Sequence, residues 1–294
     1  MAQYKIADLE NLSGIKAHTI RIWEKRYNLL NPLRTETNIR YYGDDDLKKL
    51  LNIASLLQAG HKISNISKLN EVEIAKQIEE IHQTGGQGIK EETLINQLIS
   101  AGLSFNEQQF DKAFSNCILS FGIGGSYQRV LYPMLNRIGL LWTTEDLSPA
   151  QEHFISNLIR QKLFVAIEAI DPAPEHAEKW LLFLPENEEH ELGLLIANHI
   201  LRSNNKKVYY LGTNVPMNSL LSAFNQIQPD RLLLFQVRPH QSKALQEVLI
   251  QLHQNTNATE TVLCCSPIEA KQLTPYPEQH FITSFDRFLE LCRN

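Results

Sequence analysis

From residue 171 onward, short apolar runs alternate with segments of helical spacing, and this alternation constrains the fold more than any other feature. Continuous apolar runs predict strands that are covered on both faces. Strands that alternate with helices pair in parallel within one doubly wound sheet. The predicted strands and helices are Trp180–Leu184, His190–Ser203, Lys207–Leu211, Asn218–Ile227, Arg231–Phe235, Ser242–Asn255, Thr261–Cys264, Ile268–Leu273, His280–Ile282 and Phe285–Arg293.

An acidic segment with one histidine stands where the first predicted strand gives way to its helix. It reads Glu188-Glu189-His190-Glu191-Leu192-Gly193. In sheets of this kind, ligands bind at the carboxyl ends of the strands. A neutral imidazole nitrogen of His190 can ligate a metal, and Glu188 is the candidate to orient the other ring nitrogen. The alternative interpretation of the same residues is a solvated surface loop.

Four helices are predicted before the sheet, at Glu91–Leu103, Asn106–Phe121, Ser126–Leu141 and Ser148–Ala169. Ser148 offers a hydroxyl cap and Pro149 suits the first helical position, so the fourth helix has a well-defined start. Glu152 and His153 then lie in its first turns, while Trp142 ends the helix before it. A hairpin between the two helices could bring these three side chains to one rim. In the alternative, Trp142 plugs the hairpin and Glu152-His153 is an exposed polar pair.

The acidic segment resembles the Asp/Glu-x-His-x-x-Gly motif of the cobalamin-binding module, which presents the lower cobalt ligand from a Rossmann-like domain. Glu188, His190 and Gly193 occupy the motif positions. The resemblance implies that His190 ligates the cobalt of a cobalamin, either adenosylcobalamin or methylcobalamin.

A helical bundle with Trp-x9-Glu-His caps the upper cobalamin face in the gene-regulatory branch of that family. Trp142, Glu152 and His153 match this motif, with nine residues between Trp142 and Glu152. The resemblance therefore assigns the three side chains to the upper face. Light-sensing members also have a histidine directly after the tryptophan, where this chain has Thr143, so the sequence does not predict a light response.

Two further family features are absent. A Ser-x-Leu after the third strand and a Gly-Gly after the fourth let the nucleotide tail of the cofactor slide against the sheet. This chain has Phe235-Gln236-Val237-Arg238-Pro239 and Cys264-Cys265-Ser266-Pro267 instead. Larger side chains at positions that need bare backbone would obstruct the nucleotide tail of the cofactor. We therefore predict that the chain keeps the lower cobalt ligand, His190, and that its groove for the nucleotide tail is narrowed.

The amino-terminal segment is basic although the whole chain has a net charge of −5. Residues 1–70 carry eleven Lys and Arg against seven Asp and Glu, whereas residues 71–294 carry seventeen against twenty-six. This asymmetry indicates that only the amino-terminal head meets a polyanion. Two predicted helices, Lys5–Ser13 and His18–Tyr27, flank Gly14 in a helix-turn-helix arrangement. The alternative is a small helical pair with a solvated basic face.

A predicted wing and a third helix follow these two helices. The motifs Thr19-Ile20-Arg21-Ile22-Trp23-Glu24-Lys25-Arg26-Tyr27, Arg34, Arg40-Tyr41-Tyr42 and Asp45-Asp46-Leu47 resemble the winged helix-turn-helix of MerR-type regulators. The resemblance covers about residues 4 to 70 and implies a double-stranded DNA operator as partner. His18, Thr19 and Arg21 would face bases, while Arg34, Arg40 and Tyr41 would hold phosphates. The predicted DNA-binding set is completed by Lys16, Lys25 and Arg26. Lys16 stands where a Ser-type helix cap is commoner.

The predicted fold is multidomain α and α/β. It has a winged helix-turn-helix head (1–75), a glycine-rich linker (76–90), a four-helix cobalamin cap (91–170) and a Rossmann-like, flavodoxin-like parallel-sheet domain (171–294). No long heptad helix follows the head, so we expect a homo-oligomer, a dimer or tetramer, formed through the carboxyl-terminal region.

No apolar run is long enough to span a membrane, no signal peptide opens the chain, and the four cysteines have no Cys-x-x-Cys spacing. These features predict a cytoplasmic protein with reduced thiols.

Two functions fit these observations. In the first, the chain is a transcription regulator, with repression favoured, whose carboxyl-terminal region binds a cobalamin that controls oligomerisation and operator binding. In the second, that region has lost cobalamin and serves oligomerisation or senses another small molecule or protein. A cobalamin-dependent methyltransferase or mutase subunit shares the domain pair but has no use for a DNA-binding head. The sequence contains no independent catalytic motif, so we expect no enzyme activity.

Overall fold

The chain forms two compact units, Met1–Leu158 and Ile159–Asn294. The computed structural model describes residues 4–35, 38–142, 149–237, 242–257 and 259–293, without the side chains of residues 82–84 and 139–142. Within these ranges, no helix is both long and apolar enough to cross a bilayer.

The first unit begins with a winged helix-turn-helix, as predicted. Its elements are helix α1 (Ile6–Ser13), helix α2 (Ala17–Tyr27), strands β1 (Leu33–Arg34) and β2 (Arg40–Tyr41), and helix α3 (Asp44–Gln58). Gly14 ends α1 in the left-handed conformation, with φ of 71°, which a residue without a Cβ adopts easily. The two strands pair antiparallel and form the wing, with Leu33 opposite Tyr41. Tyr4 adds an isolated antiparallel bridge to Tyr42.

The segment predicted as a linker, residues 76–90, is helical except at Gly85 and Gly86. After a short helix α4 (Ile63–Ile66), helix α5 (Glu71–Thr84) and helix α6 (Gln87–Leu103) follow each other directly. The physical reason is an apolar stripe at helical spacing, Ile74, Ile78 and Ile81, which packs with Leu29, Ile53, Leu56 and Ile66 of the head. The glycines permit only a break between two helices, and the assigned domain bounds stay a prediction.

The helical bundle continues through helix α7 (Glu107–Ser126), a π-helical turn (Tyr127–Leu131), helix α8 (Tyr132–Trp142) and helix α9 (Pro149–Glu168). The predicted gap between the second and third bundle helices is therefore a kink, where Gly122 takes a φ of 65°. Arg137 fixes α8 to α6 through a bidentate ion pair with Glu92, at 2.5 and 2.6 Å. The buried residues of the bundle include Leu98, Phe110, Val130, Met134 and Ile155.

In the second unit, the described residues place five parallel strands in one sheet. These are β3 (Lys179–Pro185), β4 (Lys207–Val215), β5 (Arg231–Phe235), β6 (Glu260–Cys264) and β7 (Gln279–Ile282), in the spatial order β4-β3-β5-β6-β7. This order reverses direction between the first and third strands, as in flavodoxin-like sheets. The helices between and after them are α10 (Leu192–Ser203), α11 (Met217–Ile227), α12 (Ser242–Asn255), α13 (Pro267–Ala270) and α14 (Phe285–Arg293). The predicted doubly wound fold is confirmed.

Alternate residues of the sheet serve two cores. Leu181 and Phe183 of β3 pack in one cluster with Leu220 and Phe224 of α11 and with three leucines of α12. The opposite face carries Trp180, Leu182 and Leu184, which are fully buried too. A strand that is covered on both faces directs no side chains to solvent. This explains why its sequence does not alternate between polar and apolar residues.

Three predicted bounds in this unit were wrong by more than one residue. The first helix begins at Leu192, so His190 lies in the loop before it rather than in the helix. β4 continues to Val215 instead of ending at Leu211. Its pairing with β3 shifts register in this part, and Gly212 and Asn214 accept the positive φ angles of 83° and 54° that occur there. Helix α13 ends at Ala270 rather than at Leu273.

Two glycines on α6 allow a matched test of the bundle packing. A Cβ on Gly102 would lie 2.4 Å from Ile155 Cγ1 and 2.6 Å from its Cδ1, whereas a Cβ on Gly88 would meet nothing within 4 Å. We expect Gly102→Ala to lower the free energy of unfolding by roughly 1–3 kcal/mol through overpacking. Gly88→Ala should be neutral or slightly stabilising because alanine favours the helix. Urea unfolding of both variants checks this, and equal midpoints would contradict the observed contact between α6 and α9.

Candidate functional site

The outer face of α2 is basic. His18, Arg21, Lys25 and Arg26 are exposed, while Ile20 on the opposite side is fully buried. Thr19 is half-buried, and its hydroxyl lies 3.3 Å from His18 Nε2. The predicted base-facing residues therefore share one helix face that is open to a partner. Their contacts with DNA stay a prediction.

The amino terminus of helix α2 is capped by Glu10, a residue outside the helix. This explains why Lys16 can stand at the position where a Ser-type cap is commoner. Glu10 Oε2 accepts a hydrogen bond from Ala17 N at 2.9 Å, and Glu10 Oε1 binds Lys16 Nζ at 2.9 Å. Both contacts favour the charged carboxylate, the lysine hydrogen bond most, so they lower the pKa of Glu10 below its usual value. A carboxylate at a helix amino terminus also faces the positive end of the helix dipole. Lys16 is thus paired with an acid, although its side chain is 71% exposed.

The wing presents Arg34 and Arg40 on adjacent strands. Both are exposed, and Arg34 Nη1 donates to Asn38 Oδ1 at 2.5 Å. Arg40 Nε lies 3.6 Å from Glu24 Oε2, so the wing is tied to α2. Tyr41 is half-buried beside them. The basic wing lies next to the basic helix in the chain, as a winged head that grips a duplex backbone requires.

In the second unit, Glu188 holds His190 by its ring. Glu188 is fully buried, and its Oε1 lies 2.6 Å from His190 Nδ1. The same oxygen accepts from the backbone N of Glu189 and of His190, at 3.0 and 3.1 Å. An ionised carboxylate can only accept, so Nδ1 carries the proton and Nε2 keeps its lone pair. His190 has 44% of its side chain exposed.

The second oxygen of Glu188 anchors the loop to the sheet. Oε2 accepts from Gln236 Nε2 and from Val237 N, both at 3.0 Å, just beyond the end of β5. Charge-assisted hydrogen bonds from several donors compensate the burial of this carboxylate. The sequence motif predicts the role of Glu188 but not that of Gln236, whose signal is a polar side chain at the carboxyl end of a buried strand.

Glu191 fixes the other side of the same loop. Its Oε1 lies 2.5 Å from Arg160 Nε of α9, and its Oε2 accepts from the Tyr210 hydroxyl of β4 at 3.0 Å. Burial and the nearby Glu191 raise the pKa of Tyr210, so its phenol stays a donor. Glu188 and Glu191 therefore fix the loop at positions before and after His190 in the chain. No sequence pattern predicts the contact between Arg160 and Glu191, because the two residues lie on distant elements.

Gly193, the last position of the Glu-x-His-x-x-Gly motif, packs against the ring of Phe235. A Cβ on Gly193 would lie 2.9 Å from Cδ1 and Cε1 of Phe235, so the phenyl ring covers this glycine. On the next strand, Cys264 is buried and Cys265 is half-buried. Burial raises the pKa of Cys265 to about 11, so this thiol stays protonated at neutral pH. Arg238, predicted to add bulk on the same rim as Phe235, lies outside the described residues.

The predicted upper-face residues are placed only in part. Glu152 and His153 lie in the first turns of α9, with His153 Nδ1 at 3.0 Å from Glu152 Oε2, and His153 is 69% exposed. Trp142 is the last residue of α8, and its side chain lies outside the described set, as do Thr143 and Ser148. The role of all three upper-face residues stays a prediction.

Comparison with known proteins finds two family models in this chain. Residues 4–71 match the model described as MerR HTH family regulatory protein, and residues 94–166 match a B12 binding domain. The first match spans the winged head, and the second spans α6 to α9.

The similar curated proteins include two bacterial repressors. The HTH-type transcriptional repressor CarH of Myxococcus xanthus is 29% identical over 258 residues, which cover 85% of this chain and 84% of that protein. The HTH-type transcriptional repressor CarA of the same organism is 27% identical over 247 residues, covering 83% and 80%. Among solved structures, the monomethylamine corrinoid protein of Methanosarcina barkeri aligns with a TM-score of 0.54 at 9% identity, covering 68% of this chain and 95% of that one. That structural likeness concerns the fold alone.

The Glu188 contacts lead to a test that needs no ligand. Glu188→Ala should lower the free energy of unfolding by roughly 1–3 kcal/mol, because it removes the carboxylate that accepts from the buried side chain of Gln236 and from the backbone N of Val237. Amide hydrogen exchange of residues 186–193 should accelerate with it. Glu189→Ala, an exposed neighbour, is the matched control and should change neither quantity. An unchanged exchange rate in Glu188→Ala would show that the carboxylate does not hold the loop.

Proposed function

We propose that this chain, a MerR-type DNA-binding protein with a B12 binding domain, is a transcription regulator whose operator binding responds to a cobalamin. The observation that carries the proposal is the Glu188–His190 pair at the carboxyl end of the sheet, in a chain that begins with a winged helix-turn-helix. The relatives CarH and CarA are named transcriptional repressors. By analogy with them, we infer repression and no enzyme activity for this chain.

For DNA, the proposed contacts are those of the basic face of α2 and of the wing. His18, Thr19 and Arg21 would read base edges in the major groove, where an arginine can bind a guanine through two hydrogen bonds. Phosphates would be held by Lys16 at the cap of α2, by Lys25 and Arg26 on α2, and by Arg34, Arg40 and Tyr41 on the wing. A DNA partner also implies a location where DNA is accessible, which for a bacterial regulator is the cytoplasm.

For the cofactor, the residues present fit the lower cobalt ligand. Glu188 holds the ring of His190 through Nδ1, so Nε2 is the ring nitrogen that would ligate cobalt, and a carboxylate hydrogen-bonded to the other nitrogen makes an imidazole a better ligand. A single imidazole suits a metal whose remaining positions are filled by a macrocycle. Bound cobalamin would supply that metal centre, with Trp142, Glu152 and His153 as the proposed upper-face residues. The form of cobalamin, adenosylcobalamin or methylcobalamin, is not specified by these contacts.

The tail groove fits less well, and this favours a second candidate function. Phe235 lies at the end of the third strand, where the sequence analysis predicts bulk in the tail groove, and its ring packs against Gly193. If the ring stays there, the domain has lost cobalamin and serves assembly or senses another molecule. Two reasons favour the cobalamin function. The contacts by which Glu188 orients His190 are present, and the side chain of Phe235 can change its rotamer, whereas a chain without this histidine would have no lower cobalt ligand.

We further propose that ligand binding acts through self-association. A winged head of this class binds half-sites that are repeated along the duplex, so two heads must be held at a fixed spacing. A ligand that favours one association state of the carboxyl-terminal regions would change operator affinity by shifting that equilibrium. A dimer or a tetramer meets this requirement.

The DNA assignment predicts the effect of removing one arginine. Arg21→Ala should weaken binding to a mapped operator by roughly 1–3 kcal/mol and relax specificity at one base pair. Fluorescence anisotropy with the operator and with a scrambled duplex, at several salt concentrations, measures both effects. Arg287→Ala on α14 is the control, because it removes the same charge from an exposed position outside the head. Equal affinities for Arg21→Ala and the wild type would show that α2 is not the reading helix.

The cofactor assignment predicts a spectral change in the dark. Titration with adenosylcobalamin or methylcobalamin should shift the visible spectrum as His190 Nε2 replaces the tail base on cobalt. His190→Ala should abolish the shift because the alanine has no donor, whereas His176→Ala, at an exposed position of the same unit, should retain it.

The same titration separates the two candidate functions. A shift in the wild type supports cobalamin sensing. A shift that appears only in Phe235→Ala would show that the phenyl ring closes the tail groove, and no shift in any variant would favour the domain that has lost cobalamin.

A further inference from the structure

A buried glutamine stands beside the predicted upper-face residues. Gln151 lies in the first turn of α9, directly before Glu152 and His153, and only 3% of it is exposed. Its Nε2 donates to the backbone O of Leu103 at 2.7 Å and to the Tyr4 hydroxyl at 3.3 Å. The start of α9 is therefore hydrogen-bonded to the first described residue of the DNA-binding head.

Tyr4 connects Gln151 to other residues of the winged head through further hydrogen bonds. It is fully buried, and its hydroxyl donates to Asp44 Oδ1, at the first residue of α3, at 3.0 Å. Its backbone exchanges two hydrogen bonds of 2.9 Å with Tyr42, one in each direction. Burial raises the pKa of Tyr4, so the phenol keeps its proton and its role as donor.

Tyr42 completes the connection to the reading helix. It is fully buried, and its hydroxyl donates to Glu24 Oε1 on α2. The other oxygen of Glu24 faces Arg40 Nε of the wing, at 3.6 Å. Hydrogen bonds thus connect α9 to both predicted DNA-contacting elements, through the side chains of Gln151, Tyr4, Tyr42 and Glu24 and through the backbone pair of Tyr4 and Tyr42, all within the first unit.

We propose that Gln151 and Tyr4 are positioning residues for the reading helix α2, and that they connect its placement to the first turn of α9. The physical basis is that a buried polar group without its partner is costly, so a displacement of Gln151 is resisted at Tyr4, and one of Tyr4 at Tyr42. The link to ligand binding rests on the proposed function, because that function assigns Glu152 and His153 to the cofactor. The positioning of α2 does not depend on it.

Amide hydrogen exchange of the full-length protein, without DNA or cobalamin, tests the positioning. Gln151→Met keeps the length of the side chain and removes its donor, while Tyr4→Phe keeps the ring and removes the hydroxyl. Both should accelerate exchange across α2 by about threefold or more. The double variant should match Tyr4→Phe alone, because the two residues act in series.

The control is a second buried hydrogen bond that joins the head to the bundle. Asn96 Nδ2 of α6 donates to Ser55 Oγ of α3 at 2.9 Å. Ser55→Ala should accelerate exchange in α3 and α6 and leave α2 at the wild-type rate. Wild-type exchange of α2 in both Gln151→Met and Tyr4→Phe, or an equal acceleration in Ser55→Ala, would overturn the proposal. If Gln151→Met does not fold, Tyr4→Phe carries the test.

Operator binding then shows whether the positioning matters for recognition. Gln151→Met should bind a mapped operator roughly fivefold more weakly than the wild type, although the residue is buried away from the basic face. Accelerated exchange with unchanged operator affinity would overturn the functional part of the inference. A wild-type protein that binds no operator would refute the proposed function, and the exchange rates would still decide the positioning of α2.

Discussion

A carboxylate that is buried without donors is too costly to keep its charge, and this constraint organises the second unit around Glu188. Its two oxygens draw in the loop backbone, the ring of His190, and the side chain and backbone that follow β5. The loop must therefore fold back onto the sheet edge. The same contacts fix the tautomer of His190, so the group that stabilises the loop also prepares its histidine for a ligand.

In the first unit, the buried polar groups that need hydrogen-bond partners are the hydroxyls of two tyrosines. Tyr4 and Tyr42 are fully buried, and each needs an acceptor for its hydroxyl. Asp44 and Glu24 provide those acceptors on two different helices of the head. The hydrophobic core alone would permit these helices to slide, whereas directional hydrogen bonds select one arrangement. The exposed basic face of α2 is held in place from behind by these buried contacts.

The sequence predicted what depends on local patterns. The strand Arg231–Phe235 and the helices Ser242–Asn255 and Phe285–Arg293 have the predicted bounds, because apolar periodicity and chain breaks mark them directly. The helical character of α5 was missed because Gly85 and Gly86 suggested a flexible linker, although the stripe of Ile74, Ile78 and Ile81 was present in the sequence. That stripe becomes decisive only once the head supplies a surface to pack against.

The chain by itself determined the classes of element, the parallel sheet, the basic head and the pairing of Glu188 with His190, since each follows from residue spacing along the chain. The tertiary structure alone decided which distant residues meet. Phe235 covers Gly193, Arg160 reaches Glu191, and Gln151 reaches Tyr4. Such contacts arise from how whole elements pack, which no local pattern encodes, because a side chain's partner across the fold depends on the shape of every element between them.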